Sequence, residues 1–275
     1  MSGVSNFRYL KLTMDNSFWL KQTKDKPLYP DLIWSRPESK LQAGKLLIAG
    51  GNIHSFNSVN IAFQESIKAG IGSTAVLLPD VLQKTLSKFF TEAEYCISTP
   101  SGSMSSKALS ALIDLSLWAD GVLLAGDFGK NSETAILIET FVNKFSGFIC
   151  LSNDSVDYFL IDPSQILQRD NTLLVLNYSQ LTKLATATKF NLAFTSTLEL
   201  NQIVERLHDF TIDKSVNILV YKDNNIYVAN KGKVSSTYLA EDNISQTILA
   251  SHASVWSIQN PGKIFEATSS SVISK

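Results

Sequence analysis

Charge is scarce and balanced in this chain: 24 Lys plus Arg stand against 25 Asp plus Glu, a net charge of -1 over 275 residues. Without an excess of basic side chains there is little to attract a phosphate backbone, so no nucleic-acid partner is expected. Cysteine is scarcer still. Cys96 and Cys150 sit in apolar segments and form neither a disulfide framework nor a zinc-ligand spacing, which suits a reducing compartment. No run approaches 18 uninterrupted apolar residues, and Arg8, Lys11 and Asp15 interrupt the first twenty, unlike the apolar core of a signal peptide. The expectation is a cytoplasmic protein with no membrane partner.

Several chemical signatures are missing as well. Gly129-Lys130 falls short of a phosphate-binding G-x-x-x-x-G-K-[ST] loop, because position 124 is Leu and position 131 is Asn. There is no G-x-S-x-G elbow and no H-E-x-x-H or C-x-x-C metal spacing. His54, His208 and His252 lie far apart, so no metal site is expected. Gly70-Ile-Gly72 follows a helical segment rather than a strand, the position of a helix stop and not of a dinucleotide fingerprint.

What the chain does have is apolar patterning, with 44% hydrophobic residues and enough length for one large core. Residues 1–43 carry Pro27, Pro30 and Pro37 with Trp19 and Trp34, the composition of an arm packed on a core. From residue 44 to 275 a single domain is expected. Six short apolar runs read as buried strands: Lys45–Ala49, Thr74–Leu78, Gly121–Ala125, Phe148–Leu151, Thr172–Leu176 and Val216–Tyr221. Helical spacing fills the intervals at Val59–Lys68, Val81–Phe90, Ser105–Ala119, Ser132–Phe145, Gln180–Ala187, Leu198–Leu207 and Asn243–Trp256. The third groups Leu109, Leu112, Ile113 and Leu117 on one face, and the fourth Ile136, Leu137, Phe141 and Phe145. Alternation of this kind predicts an α/β fold, a mainly parallel central sheet with helices on both faces. Asp223-Asn-Asn225 marks a hairpin turn, and the Ser-rich stretch Thr268–Ser274 is expected to fray.

Gly50-Gly51-Asn52, then a helix ending in Lys68-Ala-Gly-Ile-Gly72, then a strand closing at Pro79-Asp80, resembles the opening of the NAD(P)H-hydrate dehydratase family. That family is carbohydrate-kinase-related and belongs to the ribokinase-like superfamily. Asp120–Gly129 is similar to its D-x-hydrophobic-G-P-G-L-G turn, with Gly126-Asp127 in place of the P-G pair. Leu151-Ser-Asn-Asp-Ser155 stands for L-D-A-D-A, Leu174–Leu184 for T-P-H-P-G-E-x-x-x-L, and Leu219–Lys222 for the L-K-G strand end. Leu239-Ala-Glu-Asp242 occupies the place of G-S-G-D, keeping the Asp and neither glycine. The ordered series runs over roughly residues 40 to 260.

The resemblance implies a ribokinase-like fold and a repair reaction, in which hydrated NADH or NADPH is dehydrated at the expense of ATP or ADP with Mg2+. Phosphorylation of the ring hydroxyl makes a leaving group, and elimination follows; positioning and charge stabilisation do most of the work. It also implies the roles. Asp242 is the candidate proton acceptor. Asn52, Ser58 (for the family's Ala), Gly129 and Asn177 (for its His) would line the substrate pocket. Lys222, Asp223, Asn224, Asn225, Ile226 and Glu241 would lie against the nucleotide, Glu241 placing a carboxylate where the family has glycine. The partner is then an NAD(P)H hydrate or related dinucleotide, and the assembly a homo-oligomer. Two alternatives are a non-catalytic nucleotide-binding or scaffold protein on the same fold, favoured by the missing glycines, and a small-molecule kinase.

Overall fold

The computed structural model describes residues 17–88, 90–91, 93–240 and 244–274. The strands are, in chain order, β1 (Trp19–Gln22), β2 (Lys45–Gly50), β3 (Ser73–Pro79), β4 (Ala93–Cys96), β5 (Gly121–Gly126), β6 (Phe148–Ser152), β7 (Thr172–Leu176), β8 (Asn217–Lys222), β9 (Asn225–Asn230) and β10 (Lys233–Tyr238). The helices are α1 (Pro30–Trp34), α2 (Asn57–Lys68), α3 (Gln83–Leu86), α4 (Leu109–Trp118), α5 (Ser132–Lys144), α6 (Asp154–Asp157), α7 (Ser164–Gln168), α8 (Tyr178–Ala187), α9 (Leu200–Thr211), α10 (Gln246–Gln259) and α11 (Ile264–Ile273). Among the described residues the strands form one sheet of ten, in the order β1-β10-β9-β8-β7-β6-β5-β2-β3-β4. Every neighbouring pair is parallel except those made by β9, which runs against both β8 and β10.

Five of the six expected strand runs lie inside an observed strand, and the sixth, Val216–Tyr221, overlaps β8 from Asn217 on; each is apolar for a reason visible in the packing. Successive residues of a strand point to opposite faces, and here both faces are covered. Leu47, Ala49, Val122, Leu124, Ile149 and Leu151 pack under α4, α5 and α7–α9, while Leu46, Ile48, Leu123, Ala125 and Cys150 pack under α2, α10 and α11. Each buried aliphatic side chain contributes about 1.5–3 kcal/mol, so alternation with polar residues would be costly here.

Three details differ from the sequence reading. The segment Val81–Phe90 is a 3-10 turn leading into the four-residue α3, not a full helix. In α4 the buried positions are Leu112 and Ser116, and Leu117 is exposed; in α5 Ile136 is exposed while Leu137, Ile138 and Phe141 are buried. The Ser-rich stretch does not fray, because α11 is buried through Thr268, Ser269, Ser270 and Ser271. Small side chains let it approach α10 and the sheet closely. Two of its hydroxyls are bonded, Ser271 Oγ donating to Thr268 O at 2.7 Å and Ser269 Oγ lying 2.7 Å from Ser235 Oγ, while Thr268 Oγ1 and Ser270 Oγ are buried without a partner.

Candidate active-site crevice

Chain order in the sheet reverses between β2 and β5: from β2 the chain steps outward through β3 and β4, from β5 the other way through β6, β7 and β8. Loops leaving the carboxyl ends of two such strands diverge, and the gap between them is where open α/β sheets bind ligands. The two strands touch closely here. A Cβ on Gly50 would stand 2.3 Å from Gly126 O, and Gly51 N donates to that same oxygen at 3.0 Å.

Three of the sequence-derived site residues meet around the β5 loop. Asn52 Nδ2 donates to Asp127 O at 2.5 Å, and its Oδ1 accepts from His54 N at 2.7 Å. Asp127 holds a left-handed φ of 60°, which aims its carboxylate at the start of α2, where Oδ2 accepts from Ser58 N at 2.7 Å. A carboxylate is well placed against the partial positive charge of a helix N-terminus. Gly129 N donates to Asp154 Oδ2 at 2.9 Å, and Tyr158 OH donates to Gly129 O at 2.5 Å. Ser58 joins this group through its backbone.

Asn177 lies farther along the edge, at the end of β7. It closes a capping box on α8, its Oδ1 accepting from Gln180 N at 2.8 Å, and its Nδ2 donates to Gln246 Oε1 at 3.3 Å. Gln246 Nε2 in turn donates to Val175 O and Gln180 Oε1, both at 2.9 Å. Asn153 joins this network to the β5 loop: its Nδ2 donates to Ala125 O at 2.7 Å and Thr247 Oγ1 at 2.9 Å. Gln180 Nε2 donates to Asn153 O at 2.8 Å and Asp157 Oδ1 at 2.9 Å. The amino end of α10 is thereby fixed over the ends of β5, β6 and β7. Glu241 and Asp242, just before it in sequence, lie outside the described residues.

The remaining candidates form the β8–β9 hairpin. Asp223 and Asn224, at φ 50° and 59°, make the two-residue turn between Lys222 and Asn225, the geometry that suits the right-handed strand twist. Lys222 Nζ donates to Leu198 O at 3.2 Å, pairs with Asp223, and lies 5.3 Å from the centre of the Tyr178 ring. Asn224 O accepts from Leu239 N at 2.8 Å, Asn225 Nδ2 donates to Asp223 O at 2.8 Å, and Ile226 is buried in the core.

The crevice carries acidic side chains. Burial pushes the Asp154 carboxyl above its ordinary value, against the pull of the Gly129 and Phe128 amides, and Asp127 and Asp157 push it the same way. Asp154 Oδ1 is buried without a partner. Among the described residues none of these three Asp forms an ion pair, and no group of three His, Cys, Asp or Glu could hold a metal ion. Among the described residues no helix is long and apolar enough to cross a membrane.

A cavity of about 740 Å3 opens elsewhere, at the amino ends of the strands beneath Val142, Phe145, Phe159, Ile166 and Arg169. Its one guanidinium is fully engaged with Val142 O, Phe145 O, Gly147 O and Thr172 Oγ1, so the cavity offers a ligand mainly an apolar wall. The polar groups converge instead on the crevice. Sequence reasoning did not single out Asn153, Asp154, Gln180 or Gln246. Two signals pointed to Asn153 and Asp154: they follow a strand end, as Asn52 and Asn177 do, and Asp154 falls on the second Asp of the L-D-A-D-A element.

A mostly parallel sheet wrapped on both faces, with a β-hairpin beside a switch-point crevice, is a ribokinase-like α/β fold. Solved structures share this fold over nearly the whole chain. A ribokinase-like superfamily protein from Enterococcus faecalis matches with a TM-score of 0.68 at 14% identity, over 93% of this chain and 85% of that one. Bacillus subtilis YxkO, of the UPF0031 family, matches at 0.62 and 11%, over 90% and 86%. The ADP/ATP-dependent NAD(P)H-hydrate dehydratase from Bacillus subtilis, co-crystallized with ATP/Mg2+, matches at 0.59 and 10%, over 90% and 86%. No family model and no curated protein matches the sequence.

Proposed function

We propose that the crevice binds ATP or ADP, with Mg2+ carried by the nucleotide phosphates, and that the protein is a divergent NAD(P)H-hydrate dehydratase-like enzyme. The observation that carries this reading is the amino end of the 14-residue α10, held over the ends of β5–β7 by the Thr247–Asn153 and Gln246–Val175 bonds. Ser245 Oγ caps Thr247 N at 3.2 Å, and the other first-turn N–H groups of such an end suit an anionic phosphoryl group. In this reading Asp242, carried by the segment before α10, takes a proton from the substrate hydroxyl, and the Lys222–Asn225 hairpin flanks the nucleotide. The fold shared with a hydrate dehydratase crystallized with ATP/Mg2+ supports it.

A second reading, binding without turnover, draws on two observations. Lys222 is already engaged by Asp223 and Leu198 O, and the acidic residues of the crevice disfavour added negative charge. Thermal-shift titration with ATP and ADP in Mg2+, alongside an assay of hydrated NADH consumption, separates the two. A ligand at a hundred times its Kd adds about 2.7 kcal/mol of stability, so millimolar nucleotide is expected to raise the melting midpoint visibly. Consumption of hydrated NADH that is lost in Asp242→Asn supports the enzyme. A shift without consumption supports the binding protein, and no shift with either nucleotide overturns both.

A further inference from the structure

We propose that Asp127 determines the specificity of the β2–β5 end of this crevice, turning phosphate away from the start of α2 and presenting a hydrogen-bond acceptor to the bound ligand. The inference rests on the crevice being the ligand site, as in the reading above, and adds the chemical class of the group that meets its α2 end.

The loop holds the side chain in one direction. Asp127 O is fixed by Asn52 Nδ2 at 2.5 Å, and the next loop residues are fixed by Gly129 N donating to Asp154 Oδ2 at 2.9 Å. With φ at 60° the residue sits in a backbone region that Asp tolerates better than most side chains but still at a cost. That cost is offset by the bond from Ser58 N to Asp127 Oδ2, at 2.7 Å. An amide at the start of a 12-residue helix, which would otherwise face the crevice, therefore already has an anionic partner built into the chain.

Oδ1 of the same carboxylate accepts no hydrogen bond among the described residues, so the half-buried side chain keeps an unused acceptor on the β5 loop. Asp154 and Asp157 lie near, and none of the three carboxylates forms an ion pair among the described residues. A phosphate approaching here meets negative charge and a helix amide already taken. A hydroxyl, carboxamide or ammonium group meets an acceptor. The ligand is therefore oriented with a donor group at α2 and its phosphates elsewhere along the edge.

The test uses inorganic phosphate and the full-length protein, without nucleotide, so that it succeeds or fails independently of ATP or ADP binding. Phosphate is titrated into the wild type, Asp127→Gly and Asp127→Asn, with calorimetry for affinity and the Ser58 amide resonance for location. Glycine accepts the left-handed φ without strain, and asparagine keeps an acceptor for Ser58 N while removing the charge, so at least one variant retains the loop. The expected result is phosphate binding at least tenfold tighter in Asp127→Gly than in wild type, with the Ser58 resonance moving on titration, and a smaller gain in Asp127→Asn. Wild type that binds phosphate as tightly as Asp127→Gly, or variants whose Ser58 resonance stays still, would overturn the proposal.

Discussion

Asp154 shows how a single carboxyl in the crevice couples stability to pH. Burial raises its proton affinity above the ordinary 3.8, and Asp127 and Asp157 act in the same direction, while the amides of Gly129 and Phe128 only partly compensate. A group whose folded-state value is raised contributes stability that is fully present below its unfolded value and lost as pH rises through the folded one. Asp154→Asn removes that dependence, and it places an N–H donor where Oδ1 lacks a partner. The expected outcome is a difference in urea midpoint that moves in favour of the variant as pH is raised from about 4 to about 7. A difference that stays constant over this range would mean that Asp154 ionises as freely as an exposed carboxyl.

Between elements, the tightest constraint on the crevice is the contact of β2 with β5. At Gly50 an added Cβ would lie 2.3 Å from Gly126 O and 2.8 Å from Val59 Cγ2, and neither neighbour can retreat without parting the strands or shifting α2. Gly50→Ala is expected to cost about 2–4 kcal/mol. Gly262→Ala, at φ 77° but with nothing within 4 Å, is expected to cost only about 1 kcal/mol, the strain of the left-handed backbone. Urea unfolding of the two variants side by side checks the ranking. Elements buried on both faces, like β2 and β5, were legible in the sequence because nothing polar interrupts them. β10 was not: Ser235, Ser236 and Thr237 are buried, and their hydroxyls meet Ser269, Trp19 and Gln22, partners that a local pattern does not show. β1 and β4, four residues each, lie at the two edges and carry Lys21 and Glu94. The site divides the same way. Asn52 and Gly129 stand out because they follow strand ends, whereas the Gln180–Gln246 link joins residues 66 apart in sequence, each ordinary in its own surroundings.

At the scale of the whole molecule, the segment before residue 44 contributes to the sheet itself. β1 pairs with β10 in parallel, Trp19 Nε1 donates to Ser236 Oγ at 2.8 Å, and the buried Gln22 donates to Thr237 Oγ1 at 2.8 Å and Ser269 O at 2.6 Å. Leu32 packs with Trp256 and Ala267, and the Arg36 guanidinium lies 4.3 Å from the centre of the Trp256 ring. Removing residues 1–43 would therefore expose the edge of β10, a ready template for pairing with another chain, and strip buried hydroxyls of their partners at about 1–3 kcal/mol each. Against a total stability of about 5–15 kcal/mol, the sum is a large fraction. A chain beginning at Gly44 is expected to melt about 10–20 °C below the full-length protein and to run as higher oligomers on size exclusion. Gln22→Ala alone is expected to lose about 1–3 kcal/mol and stay the size of the wild type. The single substitution separates the buried hydrogen bonds from the uncovered edge: if both proteins aggregate alike, Gln22 and not the strand as a whole is what keeps β10 covered. A truncated chain that melts with the full-length one would show that the sheet is complete without β1.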